Sequence, residues 1–203
     1  MFTEYEIESL VENKAIMAAT EELKKEFIKK EAPYLEISDE DFFSLVMMAP
    51  TVGVALADDS VTFFEEMALN KKARKLSKGG YFFQKDPVVF AMKYLLKSYK
   101  DWEDKFLAVV RIAMESSFDI KALEKDFDPN EEFTLSQYRM EVLACPYIFV
   151  RFLISFFLDG EDDMFEETTI TETDLDTLKS IGEKLGLNKI PVFHHFCQTF
   201  IVK

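Results

Sequence analysis

The sequence predicts an all-α fold, a single domain over residues 1–203 built as a bundle of about eight helices. Three observations carry the prediction. With 6 Gly and 6 Pro in 203 residues, the chain lacks the punctuation of a turn-rich β architecture. Helix-start patterns, a Ser, Thr or Asp followed by an acidic residue or a proline, precede several of the apolar runs. No stretch alternates apolar and polar residues convincingly, although GGYFFQKDPVVF leaves room for a short hairpin.

The elements follow from these signals. Thr3 with Glu6 forms a capping box, and the chain then reads helical to Glu31, ahead of Pro33. Residues 1–32 are therefore expected as a long N-terminal helix packed on the rest. Ser38 and Asp41 open a short helix expected to stop near Pro50. Asp86-Pro87 pairs an N-cap with a first-turn proline; Val89, Met92, Leu96 and Tyr99 follow at helical spacing, continued by Trp102, Phe106, Val109 and Ala113. Asp128-Pro129-Asn130 reads as a turn, and Glu132 to Leu158 as one or two helices with Pro146 as the joint. Thr171 and Asp174 start another helix, with Leu175, Leu178, Ile181 and Leu185 on one face and Gly186 at its C-terminal cap. Pro191 opens a final helix carrying Phe193, Phe196 and Phe200.

Composition limits the function. Hydrophobic residues make up 48% and charged residues 31%, the balance of a globular chain. The 21 Phe, against 7 Tyr and 1 Trp, supply large apolar bodies without polar tips. They fit a Phe-packed core, the common case, or an apolar ligand cavity lined by Phe152, Phe156 and Phe157.

The net charge of −14 is uneven: residues 1–100 hold 14 basic and 17 acidic side chains, residues 101–203 hold 10 and 21. Such a field repels nucleic-acid phosphates and anionic lipid and suits a basic protein or a cation. Cys145 and Cys197 show no metal or redox spacing, and the acidic N-terminus is no secretory signal, so a cytoplasmic protein is expected. Val142 to Leu158 is apolar, but its 17 residues are short for a membrane span and Arg151 sits near the middle. No span is expected.

Between Asp159 and Asp174 lie eight carboxylates. Calcium takes six to eight oxygens, so the composition admits a divalent cation, yet the EF-hand spacing is missing. Counted from Asp159, Met164 stands where the loop needs Gly and Ile170 where it needs Glu; from Asp128, Phe133 and Arg139 fail likewise. A solvated loop is the alternative. His194 and Cys197 share a helical face but lack the further ligands zinc requires. The basic run NKKARKLSKGG reads as the C-terminal end of a helix, where cations complement the dipole, with a grip on an anion or an acidic partner as the alternative. Phosphate-binding glycine loops, nucleophile elbows and zinc-protease motifs are absent from the sequence, which leans against an enzyme.

LDG at Leu158 to Gly160, followed by ITETDLDTLKSIGEKLGL from Ile170 to Leu187, resembles tellurite-resistance TerB-like domains. VALADDSVTFFEE, Val54 to Glu66, is similar to the other copy of that feature, with Asp58-Asp59 in place of Asp-Gly. The resemblance covers about a third of the chain. It implies a stress-associated, non-catalytic helical domain whose acidic loops are candidate cation sites. By position, Asp58, Asp59, Glu65, Asp159, Glu172 and Asp174 are then the ligands. Function is thus expected from three classes. One is a non-enzymatic binding or scaffold protein engaging a cation or a basic protein. The second is an apolar-ligand carrier or enzyme with a Phe-lined cavity, and the third an acidic inhibitor of a basic protein.

Overall fold

The computed structural model describes residues 2–79, 86–128, 133–158 and 163–203. Among them run α1 (Glu4–Val11), α2 (Lys14–Glu31), α3 (Asp39–Ala55), α4 (Phe63–Leu76), α5 (Pro87–Ser117), α6 (Leu135–Ala144), α7 (Tyr147–Phe157), α8 (Glu172–Lys184) and α9 (Pro191–Gln198). A 3-10 turn spans Lys121–Leu123, and two short strands, β1 (Thr168–Ile170) and β2 (Phe200–Val202), pair in parallel. The fold is all-α, as the sequence predicts.

The centre is α3. Every residue from Asp41 to Pro50 is buried, and a helix apolar on all sides belongs inside a bundle. It packs on α1, α2, α4, α5, α7 and α8. The expected stop at Pro50 does not occur, and the helix continues to Ala55. A mid-helix proline costs about 3 kcal/mol in isolation. Burial against six neighbouring helices holds it here.

Other differences have local causes. The expected N-terminal helix over residues 1–32 divides, because Asn13 caps α2 by accepting the Ala15 N–H at 2.9 Å. α5 starts as expected, with the Asp86 carboxylate accepting from Val88 and Val89, and breaks regular geometry at Ser98. Its buried face carries Val88, Ala91, Met92, Leu95 and Tyr99, so Val89 and Leu96 are half-buried flanks of it. Phe200 lies in β2 and not in the last helix.

The apolar segment from Val142 folds back at Cys145-Pro146, where α6 and α7 meet at 119°; among the described residues no single helix is long and apolar enough to cross a membrane. Arg151 faces the bundle: its guanidinium donates to both Glu6 carboxylate oxygens and lies over the Phe2 and Tyr147 rings. α8 closes as expected, with Gly186 at φ +79° and the Leu187 N–H donating to Gly182 O at 2.8 Å. The Phe-rich composition mostly builds core: Phe27, Phe42, Trp102 and Phe106 form one edge-to-face cluster, and Phe2, Phe152 and Phe156 another.

A candidate pocket between two acidic helix starts

α4 and α8 begin alike. Thr62 caps α4, its hydroxyl accepting from the Glu65 N–H while Glu65 Oε2 accepts from Thr62 N–H and Oγ1 at 2.7 and 2.6 Å. Thr171 caps α8 by accepting the Asp174 N–H at 3.1 Å. In each, an acidic residue stands at the third helical position, where it complements the dipole. Both carboxylate residues line one pocket of about 210 Å³. One residue from each acidic stretch singled out in the sequence, Glu65 and Asp174, therefore lines the same pocket.

The walls come from several elements. α4 presents Glu65, Ala68, Leu69 and Lys72, spaced as one helical face, and α3 presents Thr51, Val54 and Ala55. The end of α7 supplies Phe156, Phe157 and Leu158; β1 and Phe200 close the remaining side. Most of this lining is apolar. Of the three phenylalanines expected to line a cavity, Phe156 and Phe157 do so, whereas Phe152 is buried in the aromatic core.

Lys72 is the polar residue the sequence reading missed. It is 4% exposed, and its ammonium donates to Thr51 Oγ1 at 2.8 Å and to Leu158 O at 3.3 Å. Thr51 Oγ1 donates to Phe156 O at 2.9 Å. Lysine and threonine together satisfy carbonyls at the C-terminal end of α7, the negative end of its dipole. The spacing Glu65, Ala68, Leu69, Lys72 was the signal available in the sequence, but the surrounding basic run concealed it. Asp174 is half-buried, and among the described residues its carboxylate has no hydrogen-bond or ion-pair partner.

The remaining ligand candidates are placed apart or otherwise engaged. Asp58 Oδ1 accepts from the Ser60 N–H and hydroxyl, turning the chain between α3 and α4. Asp59 adopts φ +65°, the left-handed conformation otherwise favouring glycine, and pairs with Lys100 on the surface. Glu172 lies on an open surface depression with Glu103 and Asp176. Asp159 lies outside the described residues. Among the described residues no three His, Cys, Asp or Glu side chains are grouped to hold a metal ion.

His195 lies in a second, smaller cavity of about 160 Å³, its Nδ1 2.7 Å from Glu141 Oε2 and its ring stacked on Phe133. Cys197 is buried, and loss of solvent pushes its thiol up to about 12. His194 packs on Phe127.

Comparison of the chain with known protein families, with curated proteins and with solved structures gives no match.

Proposed function

We propose that this is a non-enzymatic helical binding protein whose pocket accepts an apolar group carrying a cationic end. The observation that carries the reading is the convergence of Glu65 and Asp174 on the pocket walled by Phe156, Phe157 and Leu158. Lys72 is engaged by Thr51 and the end of α7, whereas the Asp174 carboxylate has no partner among the described residues. An ammonium or guanidinium supplies the missing charge, and the apolar walls take the body attached to it. An organic cation fits better than a divalent metal. Calcium takes six to eight oxygens, and of the two carboxylates on this wall Glu65 already serves Thr62. The resemblance to TerB-like domains agrees with a cation-directed, non-catalytic role, with the chemistry moved from bare ion to organic cation.

Calorimetric titration separates these possibilities. n-Hexylamine should bind at least tenfold more tightly than n-hexanol or hexanoate, which keep the chain and change the head. Equal binding of hexanoate, or heat from calcium with none from the amine, overturns the proposal.

A further inference from the structure

The outer wall of the pocket is a strand whose outer edge is unpaired among the described residues. β2 packs on α8 and α9, and β1 lies outside it. Thr168 stands opposite Phe200 and Ile170 opposite Val202 in the parallel pair. The Thr168 N–H donates to Thr199 O, and the Lys203 N–H donates to Ile170 O, at 3.3 and 3.1 Å. Parallel pairing engages alternate residues of each strand. Thr168 and Ile170 therefore serve β2, and the N–H and C=O of Thr169 point away from it. Thr169 is exposed and belongs to the pocket lining. Open edges of this kind are templates for another strand.

Three features define what the groove beside that edge accepts. The cavity, at about 210 Å³, is below the roughly 300 Å³ of a drug-sized site and suits a single side chain. Phe63, Phe64 and Met67, on the first turns of α4 beside pocket-lining Glu65 and Ala68, are 70, 81 and 55% exposed. That apolar lip is uncovered in the isolated chain. Charge here is mostly acidic: Glu65 and Asp174 line the pocket beside the buried Lys72, and Glu66, Glu166 and Glu167 adjoin lining residues in the chain.

We propose that the α4–β1 groove binds an extended basic segment of a partner protein, added as a third strand on β1, with one Lys or Arg side chain in the pocket. Such a side chain is an alkyl stem with a cationic tip. Its stem matches the walls of Phe156, Phe157 and Ala68, and its tip matches Asp174. Neighbouring apolar residues of the segment cover Phe63, Phe64 and Met67. The pairing of Thr169 sets direction and register, while the acidic rim selects basic over acidic segments. This inference rests on the cationic-ligand reading of the pocket and adds the form in which the cation arrives.

The test uses the full chain with a blocked hexapeptide of alternating Lys and Val. Two companion probes are the same peptide methylated at alternate backbone nitrogens and free n-hexylamine. The unmodified peptide should bind and slow hydrogen exchange at the Thr169 amide, and n-hexylamine should bind without that protection. Backbone methylation should weaken the peptide about tenfold, the value of roughly one or two lost hydrogen bonds, although its charge is unchanged. Thr169→Pro, which removes an outward N–H that an edge strand can spare, should weaken the peptide to a similar degree. Peptide binding that ignores methylation and Thr169→Pro overturns strand addition, as does amine binding with no peptide binding. Failure of both probes overturns the pocket reading itself.

Discussion

The guanidinium of Arg151, in the middle of the most apolar helix, grips the carboxylate of Glu6, 145 residues earlier in the chain. The pair shows what satisfies a charged residue in so apolar a segment. Arg151 is mostly buried between the Phe2 and Tyr147 rings, and Glu6 reaches it from the first turn of α1 while completing the cap on Thr3. α1 is thereby tied to α7.

Breaking this pair should cost more than an ordinary surface ion pair. Glu6→Gln leaves the guanidinium half-satisfied, and urea unfolding should show a loss of about 1–2 kcal/mol at neutral pH. Burial raises the Glu6 carboxyl, but hydrogen bonds from Arg151 and Thr3 outweigh that and hold it below the ordinary value of 4.5. Its contribution is therefore present above pH 4.5 and lost as the pH falls through the lowered value. The gap between wild type and variant should close on acidification. A gap that is constant with pH contradicts the assignment.

Tyr99 carries a buried hydroxyl with no hydrogen-bond partner among the described residues, packed where Gly53 lets α5 approach α3. Removing an unsatisfied buried donor recovers its desolvation cost. Tyr99→Phe should leave stability unchanged or raise it by about 1 kcal/mol, read as a shift in melting temperature. A loss of stability means that the hydroxyl has a partner.

Gly182 lies beneath the Phe193 ring, and a Cβ there overlaps it. Helix propensity alone favours Gly182→Ala by about 1 kcal/mol. Overpacking of the α8–α9 contact costs about 1–3 kcal/mol and should win, so the variant should melt lower. The same change at an exposed helix position, such as Ser180→Ala, should not.

Alkaline pH should loosen the fold. Burial raises the Tyr99 and Tyr138 hydroxyls above the ordinary 10.0 and lifts the Cys197 thiol from 9.0 to about 12. These groups keep their protons in the folded chain at pH values where the unfolded chain releases them. Their contribution is intact below pH 9.0 and declines as pH rises towards about 12. Cys197→Ser, compared with wild type across that range, should flatten the decline. Thiol-reactive dye should label Cys145 before Cys197 under native conditions, because Cys145 is half-buried and Cys197 buried.

At the pocket, Asp174→Asn should weaken n-hexylamine about tenfold and cost the fold little, since it removes a charge with no partner among the described residues. The loss at the α8 N-terminus is about 0.5 kcal/mol. Titration calorimetry and a melting curve read the two effects separately.

Much of this architecture was legible in the sequence. Caps at Thr3, Ser38, Asp86 and Thr171 act through side chains only a few residues from what they bond, so local pattern suffices. The same holds for Gly186 and for the buried Leu175, Leu178, Ile181 and Leu185. Long-range features were hidden. Pro50 signals a helix end, and only packing on all sides of α3 carries the helix past it. β1 and β2 are three-residue strands from distant parts of the chain, too short for a period to declare itself. Asp174 was legible as an acidic helix start and Glu65 through the family resemblance, but not as members of one pocket, and Lys72 read as part of a basic helix end until the end of α7 was placed against it.

The most direct measurement is a crystal structure of the protein grown with n-hexylamine. The amine nitrogen should lie within hydrogen-bonding distance of the Asp174 carboxylate, with its chain against Phe156, Phe157 and Ala68. A pocket that stays empty at saturating amine, or an amine seated away from both Asp174 and Glu65, would contradict the convergence of two acidic helix starts on one cation site.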